Sequence, residues 1–189
     1  EGKRAVAEAL EAGVPVRRAF VAARPHGQDP TVARLVASME ERGIEVEEVS
    51  KATLDAISYH GTHQGIALET EPFAYADIHE VIEAAGTGDA LVLCLDHVTD
   101  EGNLGAIARS AECAGAAGIV IPNRRAAAVG PGAYKTSAGA LAHLKVARVP
   151  NMATAVDDLK KAGFWAVCAT EHAEQGVWES DLSGRVCLV

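Results

Sequence analysis

The sequence predicts an α/β protein, a small αβ unit followed by a larger, mostly parallel sheet with helices on both faces. Two observations carry this. Apolar runs of strand length, among them residues 91–95, 118–122 and 164–169, alternate with stretches whose apolar residues recur at helical spacing. Glycine, proline, aspartate, asparagine or serine separates nearly every such pair, where turns and caps are needed.

The elements follow in order. Residues 2–12 read as a helix, with Val6 and Leu10 on one face and Gly13 as its stop. Residues 18–22 read as a short strand. Asp29 followed by Pro30 is a cap and a first helical position, opening a helix through Val32, Leu35, Val36 and Met39 to Gly43. Residues 44–49 alternate apolar and acidic side chains, as a half-exposed strand does; the acidic run there reads as a solvated face. Ser50 caps residues 51–57, and residues 66–70 form the next strand. The loop before that strand carries Tyr59, His60, Gly61, His63, Gln64 and Gly65. Two histidines without a nearby cysteine or acid make a weak metal signal. The loop reads equally as an ordinary connection or as a surface for unpaired RNA bases. Residues 1–70 thus make an αβαβαβ domain, and residues 71–89 a linker with a short helix capped by Asp77.

The larger domain, residues 90–189, is organised around residues 91–115. A strand buried on both faces ends in a polar turn, residues 96–102. Asn103 is placed to cap the helix that follows, in which Leu104, Ile107, Ala108 and Ala111 face the core and Arg109 points nearly opposite. Strands at 118–122, 145–149, 164–169 and 185–189 alternate with helices at 131–141 and from Asn151 to Gly163. Ligands in such sheets bind outside the carboxyl ends of the strands, where residues 96–103 and 170–176 lie.

Composition narrows the function. A formal net charge of −9 argues against a basic surface for non-specific nucleic-acid binding, though not against RNA as a substrate. The basic groups Lys3-Arg4, Arg17-Arg18 with Arg24, Arg124-Arg125 and Lys160-Lys161 each read as solvated helix ends or loops. No apolar run has the length of a membrane span and no secretory signal is present, so a cytoplasmic protein without a membrane partner is expected. Cys94, Cys113, Cys168 and Cys187 form no Cys-x-x-Cys pair and read as buried thiols of a reducing compartment. The first residue is Glu1, already within a helical pattern, which predicts a preceding segment. Glycine-rich nucleotide loops and the Gly-x-Ser-x-Gly nucleophile turn are absent, which disfavours a plain dinucleotide fold, a P-loop protein or an ordinary hydrolase.

Asp96-His-Val-Thr-Asp-Glu-Gly-Asn-Leu-Gly-Ala-Ile-Ala-Arg-Ser-Ala111 resembles the first signature motif of the SpoU (TrmH-type) RNA 2′-O-ribose methyltransferases. It departs at Glu101, where proline is usual, a change expected to alter turn stiffness more than chemistry. The likeness extends to Thr136-Ser-Ala-Gly-Ala140 and to His63-Gln64-Gly65, similar to the His-Gln-Gly of the family's L30-like RNA-binding domain. The two-domain form is most similar to bacterial enzymes that methylate a guanosine ribose in large-subunit ribosomal RNA.

The resemblance implies a trefoil-knotted SPOUT methyltransferase domain, S-adenosylmethionine as cofactor, ribosomal RNA as partner and a homodimer with its active site at the interface. It implies that Asn103 shapes the site and that Arg109 meets the RNA phosphate and assists removal of the 2′-hydroxyl proton. His63, Gln64 and Gly65, with Arg17 and Arg18, become candidates for RNA contact, and Thr170 and Glu171 for the edge of the cofactor pocket. From residue types alone, Arg109 would be a surface arginine paired with Glu112. The family's later motifs, a Gly-x-Glu-x-x-Gly loop and a Ser-Leu-Asn-x-Ser helix, would follow residues 186–189; the chain is therefore expected to be C-terminally incomplete and inactive alone. A second reading is a non-catalytic RNA-binding protein with a degenerate α/β half.

Overall fold

The computed structural model describes residues 1–23, 27, 29–58 and 62–189. Arg24, Tyr59, His60 and Gly61, named above, lie outside the described residues. The first unit runs α1 (Lys3–Glu11), β1 (Val16–Ala22), α2 (Pro30–Glu41), β2 (Glu45–Val49), α3 (Lys51–Ile57) and β3 (Ile66–Thr70). Its sheet has the order β2-β1-β3, with β2 parallel and β3 antiparallel to β1. Its main core packs Val6, Leu10, Val32 and Met39 of the helices on Ala19, Val21 and Ile66 of the sheet. The caps form as expected: Asp29 accepts from the Thr31 and Val32 amides, and Ser50 from that of Thr53.

The second unit contains α4 (Ile78–Ala84), β4 (Ala90–Cys94), α5 (Glu101–Cys113), β5 (Gly118–Pro122), α6 (Pro131–Ser137), β6 (Lys145–Val149), α7 (Met152–Lys161), β7 (Trp165–Val167) and β8 (Arg185–Leu188). All four strand pairs of its sheet, ordered β6-β5-β4-β8-β7, are parallel. One core lies under α4 and α7, with Val81, Leu159, Val120 and Cys187; the other lies under α5 and α6, with Leu104, Ala108, Ile119 and Leu141. The segment between the sheets packs on the second: Ile78 and Val81 enter its core and Ala76 bridges to Ala147.

Three local expectations are corrected. The helix expected over 131–141 ends at Ser137; Ala138 (φ 50°) and Gly139 (φ 102°) turn left-handed, and a 3-10 turn follows over Ala140–Ala142. Glu8 of α1 lies against Gly139, where any β-carbon would come within 2.7 Å of it. The strand expected to be buried over 164–169 is reduced to Trp165–Val167 at the sheet edge, with Trp165 48% exposed. Of the cysteines, Cys94 and Cys187 are buried with their sulfurs 3.4 Å apart, whereas Cys113 and Cys168 are exposed. Contact with Cys187 together with burial pushes the Cys94 thiol pKa up, which keeps it neutral.

Candidate functional site

The strand order reverses between β4 and β8, and a crevice opens at the carboxyl ends of strands at such a point. The turn that leaves β4 runs directly into α5. Its cap is Asp100 rather than Asn103: the Asp100 Oδ1 accepts the Asn103 amide at 2.7 Å. Both residue types cap well; the helix starts at Glu101, so Asn103 lies in its first turn. Asp100→Ala should therefore destabilise the protein by about 1 kcal/mol, measurable by urea denaturation.

Moving the cap frees the Asn103 side chain, which is exposed and makes no hydrogen bond among the described residues. Arg109 is also exposed; its guanidinium makes no ion pair or hydrogen bond among the described residues, so the surface pair with Glu112 does not form. An amide and a fork of donors thus stand open on one helix. Its opposite side packs tightly on α6, which Gly105 permits: a β-carbon there would come 2.9 Å from the Ser137 amide and closer still to Thr136 Oγ1 and the Ala133 carbonyl.

The His63-Gln64-Gly65 group forms a built turn. His63 is buried; its Nδ1 accepts the Gly65 amide at 2.9 Å, which leaves Nε2 to donate to Asp55 Oδ1 at 2.9 Å. Gln64 takes a left-handed conformation (φ 53°) and is exposed, and its Oε1 accepts the Lys3 amide. Among the described residues no group of three or more metal-ligating side chains occurs. Arg17 and Arg18 are exposed on β1 but locally paired. Arg17 holds Glu71 through two bonds of 2.8 Å, which pull that carboxyl below its ordinary pKa, and Arg18 bonds Glu69 at 2.6 Å. Thr170 and Glu171 stand exposed beyond β7, where the Ala169 amide bonds the Val189 carbonyl.

The structure also brings Lys135, which motif reading passed over, beside residues of the motif. A cleft of about 510 Å³ between α5 and α6 is lined by Asp100, Glu101, Gly102, Lys135 and Thr136. The Lys135 ammonium reaches Thr62 Oγ1, beside the His63 turn, and lies 3.7 Å from the Glu1 carboxylate. A lone lysine within the small-residue run 132–140 was its only signal in the sequence.

An open parallel α/β sheet whose strand order reverses between β4 and β8, joined to a small αβ unit, defines the class of protein. The chain belongs to the SpoU rRNA Methylase family, which matches residues 90–189, and residues 1–76 match the RNA 2′-O ribose methyltransferase substrate-binding family. A Mycobacterium avium protein named as an uncharacterised tRNA/rRNA methyltransferase is 40% identical over 164 residues, covering 86% of this chain and 53% of that protein. A Mycolicibacterium smegmatis protein of like name is 36% identical over 190 residues, 100% of this chain and 60% of that one. The chain thus spans between half and two thirds of the length of these relatives. Among solved structures, an RNA 2′-O ribose methyltransferase matches with a TM-score of 0.75 at 27% identity, over all of this chain and 68% of that one. The SpoU methyltransferase AviRb of Streptomyces viridochromogenes, solved in complex with AdoMet, shares the fold with a TM-score of 0.77 at 24% identity, over 99% of this chain and 70% of that one. No helix among the described residues is long and apolar enough to cross a membrane.

Proposed function

We propose that the protein transfers a methyl group from S-adenosylmethionine to a ribose 2′-hydroxyl of RNA, with a guanosine of large-subunit ribosomal RNA as target. The observation that carries this is the open pair on α5, the Asn103 amide and the Arg109 guanidinium, both without partners among the described residues. A 2′-hydroxyl is a poor nucleophile until its proton leaves. A guanidinium stays protonated at neutral pH, so Arg109 does not take that proton as an ordinary base. It holds the adjoining phosphate bidentately and stabilises the alkoxide that develops as the 2′-hydroxyl proton passes to solvent water. Asn103 orients the ribose.

In this reading residues 1–70 grip RNA through the turn built on His63 and Gly65, which presents Gln64 to solvent. Arg17 and Arg18 contribute only by exchanging Glu71 and Glu69 for phosphate. Residues 71–89 join this unit to the transfer unit, 90–189. The described residues would suit one edge of a cofactor site: Thr170 and Glu171 are exposed just beyond β7, the hydroxyl accepting the His172 amide at 3.3 Å and the carboxylate 3.6 Å from the His172 ring, and both would have to exchange these contacts for the cofactor's polar groups. The cofactor supplies the electrophilic methyl group. An apolar groove lined by Leu91, Leu93 and Ile107 supports a homodimer. A ribosomal substrate places the work in the cytoplasm.

The test is transfer of labelled methyl from S-adenosylmethionine to ribosomal RNA by the full-length protein, followed by alkaline hydrolysis. A 2′-O-methyl group blocks backbone cleavage, so the label is expected in an alkali-resistant dinucleotide containing guanosine. Label on a base, or in transfer RNA alone, would overturn the assignment.

A further inference from the structure

We infer that Glu101 is a positioning residue, which fixes the catalytic helix α5 against α6 and so couples it to the RNA-binding turn; this rests on the function proposed above. The position sits at the start of α5, where the sequence suggested an effect on turn stiffness more than on chemistry. The structure shows a different use for the side chain. Helix α6 begins at Pro131 after Gly130, which has no side chain to cap it. The buried Gly132 amide instead finds its acceptor on the neighbouring helix: Glu101 Oε2 takes it at 2.9 Å. A carboxylate is a strong acceptor there, both as a charged group and because it meets the positive end of a helix. Gly130 is matched to it, since a β-carbon at 130 would come 2.5 Å from Glu101 Oε1.

The two helices are therefore joined at two points. One is the polar tie from Glu101 to Gly132; the other, one turn along, is the close approach at Gly105. Together they leave α5 little freedom to slide or roll on α6. The exposed face of α5 carries Asn103 and Arg109. The exposed side of α6 carries Lys135, which reaches Thr62 immediately before His63. A continuous chain of contacts thus runs from the RNA-binding turn through Lys135, α6 and Glu101 to the helix that holds Arg109. Loss of the tie leaves the reactive residues present but out of register, and a misplacement of about 1 Å suffices to slow a positioned reaction strongly.

Three variants of the full-length protein separate this role from a role in starting the helix. Glu101→Gln keeps an acceptor and should recover most of the transfer. Glu101→Ala removes it: kcat should fall about fivefold to twentyfold while KM for RNA stays within about twofold, the sign of lost register rather than lost binding. Glu101→Pro suits a first helical position, and the extended backbone of Asp100 already fits a following proline. It should therefore match the parent in thermal stability but match Glu101→Ala in kcat. Hydrogen exchange supplies a readout independent of the reaction. The Gly132 amide should exchange at least about tenfold faster in the Ala and Pro variants, with core amides such as Val120 unchanged. Unchanged exchange at Gly132, or Ala and Pro variants with wild-type kcat, would overturn the inference. If the parent transfers no methyl group, the proposed function fails, and with it the coupling that rests on that function. Gly132 exchange then reports only whether the tie exists.

Discussion

Gly105→Ala is expected to lower stability by about 2 kcal/mol, although alanine is the better helix former. In an open helix the substitution would gain about 1 kcal/mol from backbone entropy. Here the new methyl group meets the Ser137 amide at 2.9 Å and lies closer still to Thr136 Oγ1 and the Ala133 carbonyl. Thr136 can rotate, but the other two groups are backbone, so α6 itself must move. Overpacking of this kind costs about 1–3 kcal/mol and more where backbone cannot yield. The movement also strains the Glu101 tie and the Lys135 contact with Thr62, which adds to the penalty. For a protein of this size the midpoint of thermal unfolding should drop by about 4–8 °C. Gly88→Ala is the control, since a β-carbon there meets nothing within 4 Å. A Gly105→Ala protein as stable as this control would show that the α5–α6 contact is looser than its geometry.

Much of this packing could not be read from sequence, and the reason is distance along the chain. Caps are local, and Asp29, Ser50, Asp77 and Asn151 each stand where their helices begin. Most strand positions followed from apolar runs, or from alternation for β2, because burial on two faces or on one imposes those patterns. The cap of α5 was misplaced because Asp100 and Asn103 are both suited to the role and lie within one turn of each other. The end of α6 was misplaced because Ala138 is a good helix former, and what abuts the turn is Glu8 of another unit. Trp165 is exposed because β8 inserts between β4 and β7 and leaves β7 at the edge. For the candidate site, the motif supplied Asn103 and Arg109 as types in a pattern. That Arg109 lacks a partner among the described residues, that His63 faces inward, that Lys135 reaches the first unit and that Glu101 ties α5 to α6 are tertiary facts. Glu101 and Gly132 are 31 residues apart, and Lys135 and Thr62 are 73 apart.

Arg109→Ala in the full-length protein is expected to reduce methyl transfer to RNA by about 100-fold to 1,000-fold, the scale seen when one donor to a developing oxyanion is removed. The loss should not come from unfolding. Arg109 is exposed on α5 and holds nothing among the described residues, so stability should change by less than about 0.5 kcal/mol. Arg109→Lys discriminates between two roles. An ammonium keeps the charge but lacks the planar fork, so it cannot hold a phosphate by two parallel bonds. If charge alone mattered, lysine would restore most of the rate; if bidentate geometry matters, it should recover less than about a tenth of it. The pH profile adds a second criterion. A guanidinium acting as a proton acceptor would need a pKa brought far down, which demands burial or neighbouring cations. A guanidinium does not give up its proton at neutral pH. The pH dependence should therefore report another group, and its midpoint should be the same in the Arg109→Lys protein as in the parent. Transfer that survives Arg109→Ala unchanged would remove the residue from the reaction and leave Asn103 as the only open polar side chain of the pair.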